Sequence, residues 1–300
     1  MPLHLPPIGR RKFIASAAVT AAGILTFRSS SLAADEEADP NYFVLIADTH
    51  IDQNSNRLLR GVNPAENLDL AVKRIVALRP RPAAVIINGD AANTRGLPGE
   101  YGLLSWILRP ISAAGIPIHI TMGNHDDREP FYSIMREMKP EEPILEGRHI
   151  SIIETPNVHL FLLDTLDQVN NTPGLLGERQ LEWLDEALGG HNDKPAILIG
   201  HHFPETGTGR GLLDVEKLYE IALSHKHVQA YFYGHSHNWL IGRHEELHLV
   251  NQPATAHVFR QGQPQAYVHA RFHADRFRIE LDCLDRSHAW HGDAHVLRHR

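Results

Sequence analysis

Short apolar runs alternate along the chain with amphipathic stretches. Residues 42–47 are an uninterrupted apolar run of strand length that stops at Asp48. Asn63-Pro64 then opens a segment in which Leu68, Ala71, Val72, Ile75 and Leu78 recur at helical spacing, and a second apolar run occupies residues 83–87. That order predicts a βαβ unit, with a right-handed crossover and neighbouring parallel strands. A helix around residues 100–108 and a strand at 117–121 extend the pattern. In the middle of the chain, runs at 149–154 and 159–163 flank the turn-forming Thr155-Pro156-Asn157, which predicts an antiparallel hairpin. Alternation then resumes. Residues 178–188 place Leu181, Leu184 and Leu188 on one helix face, and a strand at 196–199, a helix near 213–223 and a strand at 228–233 follow. The last sixty residues hold strands near 247–250, 266–272 and 277–281 with no clear helix between them. An α/β fold with two mixed sheets flanked by helices fits this order better than one doubly wound sheet.

The first 33 residues depart from the pattern. Arg10, Arg11 and Lys12 precede an uncharged, alanine-rich stretch at 13–27, and Ser31-Leu32-Ala33 offers small residues for signal peptidase. A core of 15 residues falls short of the roughly 20 needed to span a bilayer. The segment 1–33 therefore reads as an export signal that leaves no stable membrane span after processing, with an ordinary secretory signal or a retained anchor as alternatives. Its arginine pair resembles a twin-arginine signal, which implies the twin-arginine export machinery as a partner and a periplasmic or secreted location. Residues 34–41 are acidic and read as a linker, and residues 42–300 as one domain.

Composition narrows the chemistry. The 300 residues include 22 histidines and one cysteine, Cys283, which excludes an intramolecular disulfide framework and a thiolate zinc cluster. A metal site must use imidazole and carboxylate. Loss of residues 1–33 removes four basic residues and no acid, moving the net charge from −7 to −11. That sign disfavours a nucleic acid polymer as partner. A small anionic substrate remains compatible if metal ions supply positive charge.

Five short motifs each follow a predicted strand, where loops of α/β proteins gather functional groups. They are Asp48-Thr49-His50, Gly89-Asp90, Gly123-Asn124-His125-Asp126, His201-His202 and Gly234-His235-Ser236-His237. Each alone is weak; the weight lies in all five in this order. A pair of divalent ions about 3.5–4 Å apart requires a bridging carboxylate with neutral imidazoles and oxygen ligands on either side. Asp90 can bridge, Asp48 and His50 can converge on one ion, His235 and His237 can serve one ion each, and Asn124 can offer a carbonyl oxygen. Glycines 89, 123 and 234 permit tight turns.

The ordered set resembles the calcineurin-like metallophosphoesterase superfamily, over the stretch from Asp48 to His237. The resemblance implies a four-layer α-β-β-α sandwich and two divalent ions, Fe, Mn or Zn. It implies that Asp48, His50, Asp90 and His237 hold the first ion, that Asp90, Asn124, His201 and His235 hold the second, and that His125 stands beside the scissile phosphate. The family pattern puts the ligand immediately after the strand, which selects His201; His202 either faces substrate or packs. Asp126 is expected to orient His125, and Asp164 to be a cap. Purple acid phosphatases carry a tyrosine where this chain has Asn93, and protein Ser/Thr phosphatases show GDxVDRG and GNHE where this chain has GDAANTRG and GNHD. DNA-repair exonucleases share much of the metal pattern, but export and acidic charge argue against them.

Together with His201-His202-Phe203-Pro204, these features look most like the cyclic-nucleotide and glycerophosphodiester phosphodiesterase group. The expected activity is hydrolysis of a small phosphate ester by metal-activated hydroxide, with His125 assisting the leaving oxygen. The alternatives are a broad phosphomonoesterase that scavenges phosphate and an inactive metal-binding envelope protein. The nine histidines after residue 240 are expected to lie mostly on the surface or in strands. Among them, His288, His291 and His295 would share a face only in a helix, and no helix pattern covers them.

Overall fold

The computed structural model describes residues 38–205, 207 and 209–300. The predicted export segment, residues 1–33, and residues 34–37 of the predicted linker lie outside the described residues. In chain order the strands and helices are β1 (Asp39–Ala47), α1 (Pro64–Val76), β2 (Pro82–Asn88), α2 (Pro98–Ala113), β3 (Ile118–Thr121) and α3 (Arg128–Ile134), followed by β4 (Ser151–Glu154) and β5 (His159–Leu162). Then come α4 (Glu178–Gly190), β6 (Ala196–Ile199), α5 (Val215–Ser224), β7 (Val228–Tyr233), β8 (Leu240–His244), β9 (Leu247–Asn251), β10 (Ala266–Phe272), β11 (Arg276–Cys283) and β12 (Ala294–Arg298). They form two six-stranded sheets, ordered β12-β11-β10-β1-β2-β3 and β4-β5-β6-β7-β9-β8. Strands β1, β2 and β3 are parallel in the first sheet, and β5, β6, β7 and β9 in the second; the outer strands are antiparallel.

The layering follows from alternation along strands buried on both faces. Phe43 and Leu45 of β1 point between the sheets, against Leu160, Ile197 and Phe232, whereas Tyr42, Val44 and Ile46 point outward to α1 and α2. On the far side, Phe161, Leu198 and Tyr231 pack against Leu181, Leu184 and Leu188 of α4 and Leu218 of α5. The result is helix, sheet, sheet, helix. The α1 helix starts where its sequence says: the Asn63 side chain accepts hydrogen bonds from the Ala65 and Glu66 amides, Pro64 occupies the first turn, and Leu68, Ala71, Val72 and Ile75 are buried. Among the described residues, no helix is long and apolar enough to cross a membrane.

Several elements differ from the sequence reading. Strand β1 starts at Asp39, which pairs with Pro82 ahead of a register shift, so the end of the predicted linker is already in the sheet. Helix α3 and the edge strands β8 and β12 carry no strong apolar period; alternate residues of β12 are exposed. Helix α2 runs from Pro98 to Ala113, beyond both ends of the helix predicted around residues 100–108. His288 and His291 lie in turns and His295 in β12, so no helix face joins them.

Candidate metal centre at the strand ends

Parallel strands of both sheets end at one edge, and all five motifs lie there. The first sheet contributes Asp48 and His50 after β1, Asp90 after β2 and Asn124 and His125 after β3. The second contributes His201 after β6 and His235 and His237 after β7. Among the described residues, three groups of side chains lie close enough to hold an ion: Asp48, His50 and His237; Asp90, His201 and His235; and His50, Asp90 and His125. Asp90 Oδ2 is 3.2 Å from His201 Nε2 and 3.8 Å from His50 Nε2, which places its carboxylate between the first two groups. Asp48 Oδ1 is 3.3 Å from His237 Nε2.

Local backbone strain sets these directions. Asp48, His50, Asp90, His235 and His237 all have positive φ, between 43° and 64°. Left-handed backbone at a non-glycine residue costs of order 1–3 kcal/mol and persists only where the surroundings enforce it. Here hydrogen bonds do so: the His50 amide donates to the Asp90 carbonyl, and the His235 amide to the Asp48 carboxylate at 3.0 Å. Gly89 has φ +71°, and a Cβ there would stand 2.4 Å from the His201 ring. Only glycine lets the two sheets' loops approach so closely.

The imidazoles are arranged as metal ligands. His201 donates Nδ1–H to the Asn88 carbonyl at 2.9 Å, and His237 donates Nδ1–H to the His257 carbonyl at 2.6 Å, so each presents its Nε2 lone pair to the centre. In His201 that lone pair faces the Asp90 carboxylate, two acceptors that require a proton or a cation between them. Burial alone would pull His201 down, but Asp90 and Asp48 carry it up to about 9. Burial keeps His50 well below the ordinary imidazole range, and burial with the neighbouring His201 pushes His235 down to about 4, so both favour the neutral form that binds metal. Asn124 Oδ1 and His201 Nε2 are buried without hydrogen-bond partners. Those orphaned atoms and the facing acceptors fit divalent cations at this place.

The surrounding side chains correct several expectations. His125 is oriented by its own hydrogen bonds, from its amide to Asp90 Oδ1 and from Nδ1–H to the Thr94 carbonyl, both 2.9 Å. Asp126 does not touch the His125 ring. It accepts hydrogen bonds from the Ala91, Ala92 and Gly123 amides and the Tyr101 hydroxyl, thereby joining the second and third motif loops. Asp164 is more than a cap: it is fully buried and accepts two hydrogen bonds from Arg128, at 2.6 and 2.8 Å. His202 is also fully buried, with Nδ1 2.7 Å from Thr165 Oγ1 and its ring against those of His201 and His235; it packs.

His257 was assigned no special place by the sequence, yet it is nearly buried against the rings of His50 and His237. No motif marks it, because its contribution is a main-chain carbonyl and a packed ring. Thr94 and Asn170 act in the same way: the Asn170 amide donates to the Asn124 carbonyl at 2.6 Å.

Fold and site together define a metallophosphoesterase, with imidazole and carboxylate ligands gathered where two mixed sheets end. The chain belongs to the calcineurin-like phosphoesterase family, whose model matches residues 42–239. It is 30% identical over 256 residues to a probable cyclic nucleotide phosphodiesterase of Rhodopseudomonas palustris, covering 79% of this chain and 90% of the relative. It is 28% identical over 222 residues to a glycerophosphodiester phosphodiesterase of Enterobacter lignolyticus, covering 71% and 76%. A dimetal phosphatase from Danio rerio shares the fold with a TM-score of 0.67 at 17% identity, covering 86% of this chain and 99% of that one.

Proposed function

We propose that the chain is an exported dinuclear-metal phosphodiesterase acting on cyclic-nucleotide or glycerophosphodiester-like substrates. The observation that carries this reading is the Asp90 carboxylate between two ligand groups, with His125 beside it. The phosphodiesterase names of the two relatives support the diester preference. Asp48, His50, Asp90 and His237 would hold one cation, and Asp90, Asn124, His201 and His235 the other. Bound there, two divalent cations supply Lewis-acid charge and an activated water nucleophile.

The residues around them set the geometry. Asp90 is fixed by the His125 amide, and Asn124 by the loop carrying Asn170. His125 keeps Nδ1–H on the Thr94 carbonyl, which leaves Nε2 to deliver a proton to the departing ester oxygen. Attack and departure on opposite sides of phosphorus need no covalent intermediate on the protein.

Replacement of Asp90 by asparagine tests the assignment. It should lower kcat/KM by more than about 100-fold, beyond the 10–100-fold typical of groups that merely orient ligands, and reduce the metal content measured by elemental analysis. Unchanged hydrolysis and full metal content would remove Asp90 as the bridge. A bis-aryl phosphodiester should be hydrolysed faster than an aryl phosphomonoester; a monoester preference above about tenfold would favour a scavenging phosphatase. Export through the twin-arginine route rests on residues 10–33. Changing Arg10 and Arg11 to lysine should retain the protein in the cytoplasmic fraction, whereas continued export would point to an ordinary secretory signal.

A further inference from the structure

We infer that a cavity beside His125 receives the leaving group and is built for a nucleoside rather than for a small polyol, with Arg95 as the specificity-determining residue. This rests on the phosphodiesterase reading above. The side of the centre from which the ester oxygen departs is the side on which His125 stands. Its ring is held by the Thr94 carbonyl, and the next residue, Arg95, begins the wall of a cavity of about 520 Å³. Asn170, whose amide donates to the Asn124 carbonyl, also lines it. Both residues that flank the reacting phosphate, Asn124 and His125, are thus tied to loops that line this one cavity.

The lining has two chemistries. Leu97, Pro130 and Val169 present apolar surface, and Leu97 and Val169 are 40% and 37% exposed there. Arg95 and Asn170 supply polar groups. Arg95 is exposed and forms no ion pair among the described residues. Asp127 also lines the cavity and accepts the Glu129 amide at the start of α3. A guanidinium fork without an ion pair among the described residues suits the ring nitrogen and carbonyl acceptors of a base, and the apolar residues suit its faces. Glycerol would leave most of this volume and apolar surface wet, whereas sites for ligands of nucleoside size commonly enclose about 300–1,000 Å³.

The wall is preorganised. Buried Glu100 accepts hydrogen bonds from the Thr94 amide and hydroxyl and the Leu97 amide, at 2.7 to 3.1 Å, which fixes the turn that presents Arg95. Gly96 packs so tightly that a Cβ would stand 2.3 Å from the Asp127 amide.

The test uses the full chain, its Arg95→Ala variant and its Val169→Asp variant, each with and without added Mn²⁺. Adenosine and guanosine are titrated calorimetrically, and kcat and KM are measured for a 3′,5′-cyclic nucleotide and for glycerophosphoethanolamine, whose small ester groups do not fill the cavity. Both variants should weaken nucleoside binding and raise KM for the cyclic nucleotide at least about fivefold, with kcat, metal content and glycerophosphoethanolamine hydrolysis retained. Equal effects on both esters, or no nucleoside binding to a wild-type chain that hydrolyses diesters, would overturn the inference. Nucleoside binding that depends on Arg95 in a chain with no diesterase activity would support the cavity and defeat the reading on which its catalytic role rests.

Discussion

At the scale of single residues, His125 and the metal ligands divide the work by which atoms they leave free. His125 commits Nδ1 and its amide to the protein, and the proposed mechanism gives Nε2 to the substrate. His125→Ala should therefore retain the metal content and lose about 10²–10⁴-fold in rate on esters with poor leaving groups, with a smaller loss on activated aryl esters. Kinetics on a series of leaving groups of rising pKa, with elemental analysis alongside, checks this. A uniform loss across the series with reduced metal would make His125 a ligand instead, which its place in the group with His50 and Asp90 keeps measurable. The side chains that cluster at the strand ends were legible in the sequence because each lies in a short motif just after a strand. His257, Thr94 and Asn170 were not, because a carbonyl or an amide can be supplied by any residue type.

At the scale of elements, buried strands and capped helices were the most legible. Strands β6 and β7 match their predicted bounds residue for residue, since burial on both faces leaves little freedom of composition. Edge strands such as β8, with one side toward solvent, tolerate Gly242 and Arg243 and lose the signal. Helix α3 is short, and what anchors it is an ion pair with a residue distant in sequence: Arg128 reaches Asp164 and the Leu166 carbonyl just beyond β5. Arg128→Leu should destabilise the fold by about 3–5 kcal/mol, because it strands a buried carboxylate. Denaturant titration measures it. The double change Arg128→Leu with Asp164→Leu should recover part of that loss, and an unchanged midpoint in the single variant would show the pair to be dispensable.

At the scale of the whole molecule, an acidic chain must attract an anionic substrate, so the attraction has to originate at the centre rather than from the surface field. Prolonged dialysis against a chelator should abolish hydrolysis, and readdition of Mn²⁺ or Zn²⁺ should restore it; activity that survives complete metal removal would contradict this. The sequence foresaw two sheets from the order of its elements. It did not show which strands would be neighbours across them, because that depends on packing between Phe43, Leu160 and Phe232, each an unremarkable apolar residue in its own strand.

Four ligand candidates come from one sheet and three from the other, with Asp48 and Asp90 meeting His201, His235 and His237 across the seam. Cations seated there would rivet the two halves of the sandwich, since neither half carries a complete set of ligands for both ions. Separation of the sheets would then require release of the ions, so metal occupancy becomes resistance to unfolding. At a free metal concentration 100 times the dissociation constant, each independent site would add about 2.7 kcal/mol. Calorimetric melting should shift upward with each increment of metal and fall back on chelation, and a Tm indifferent to metal would mean that the sheets hold together without the rivet.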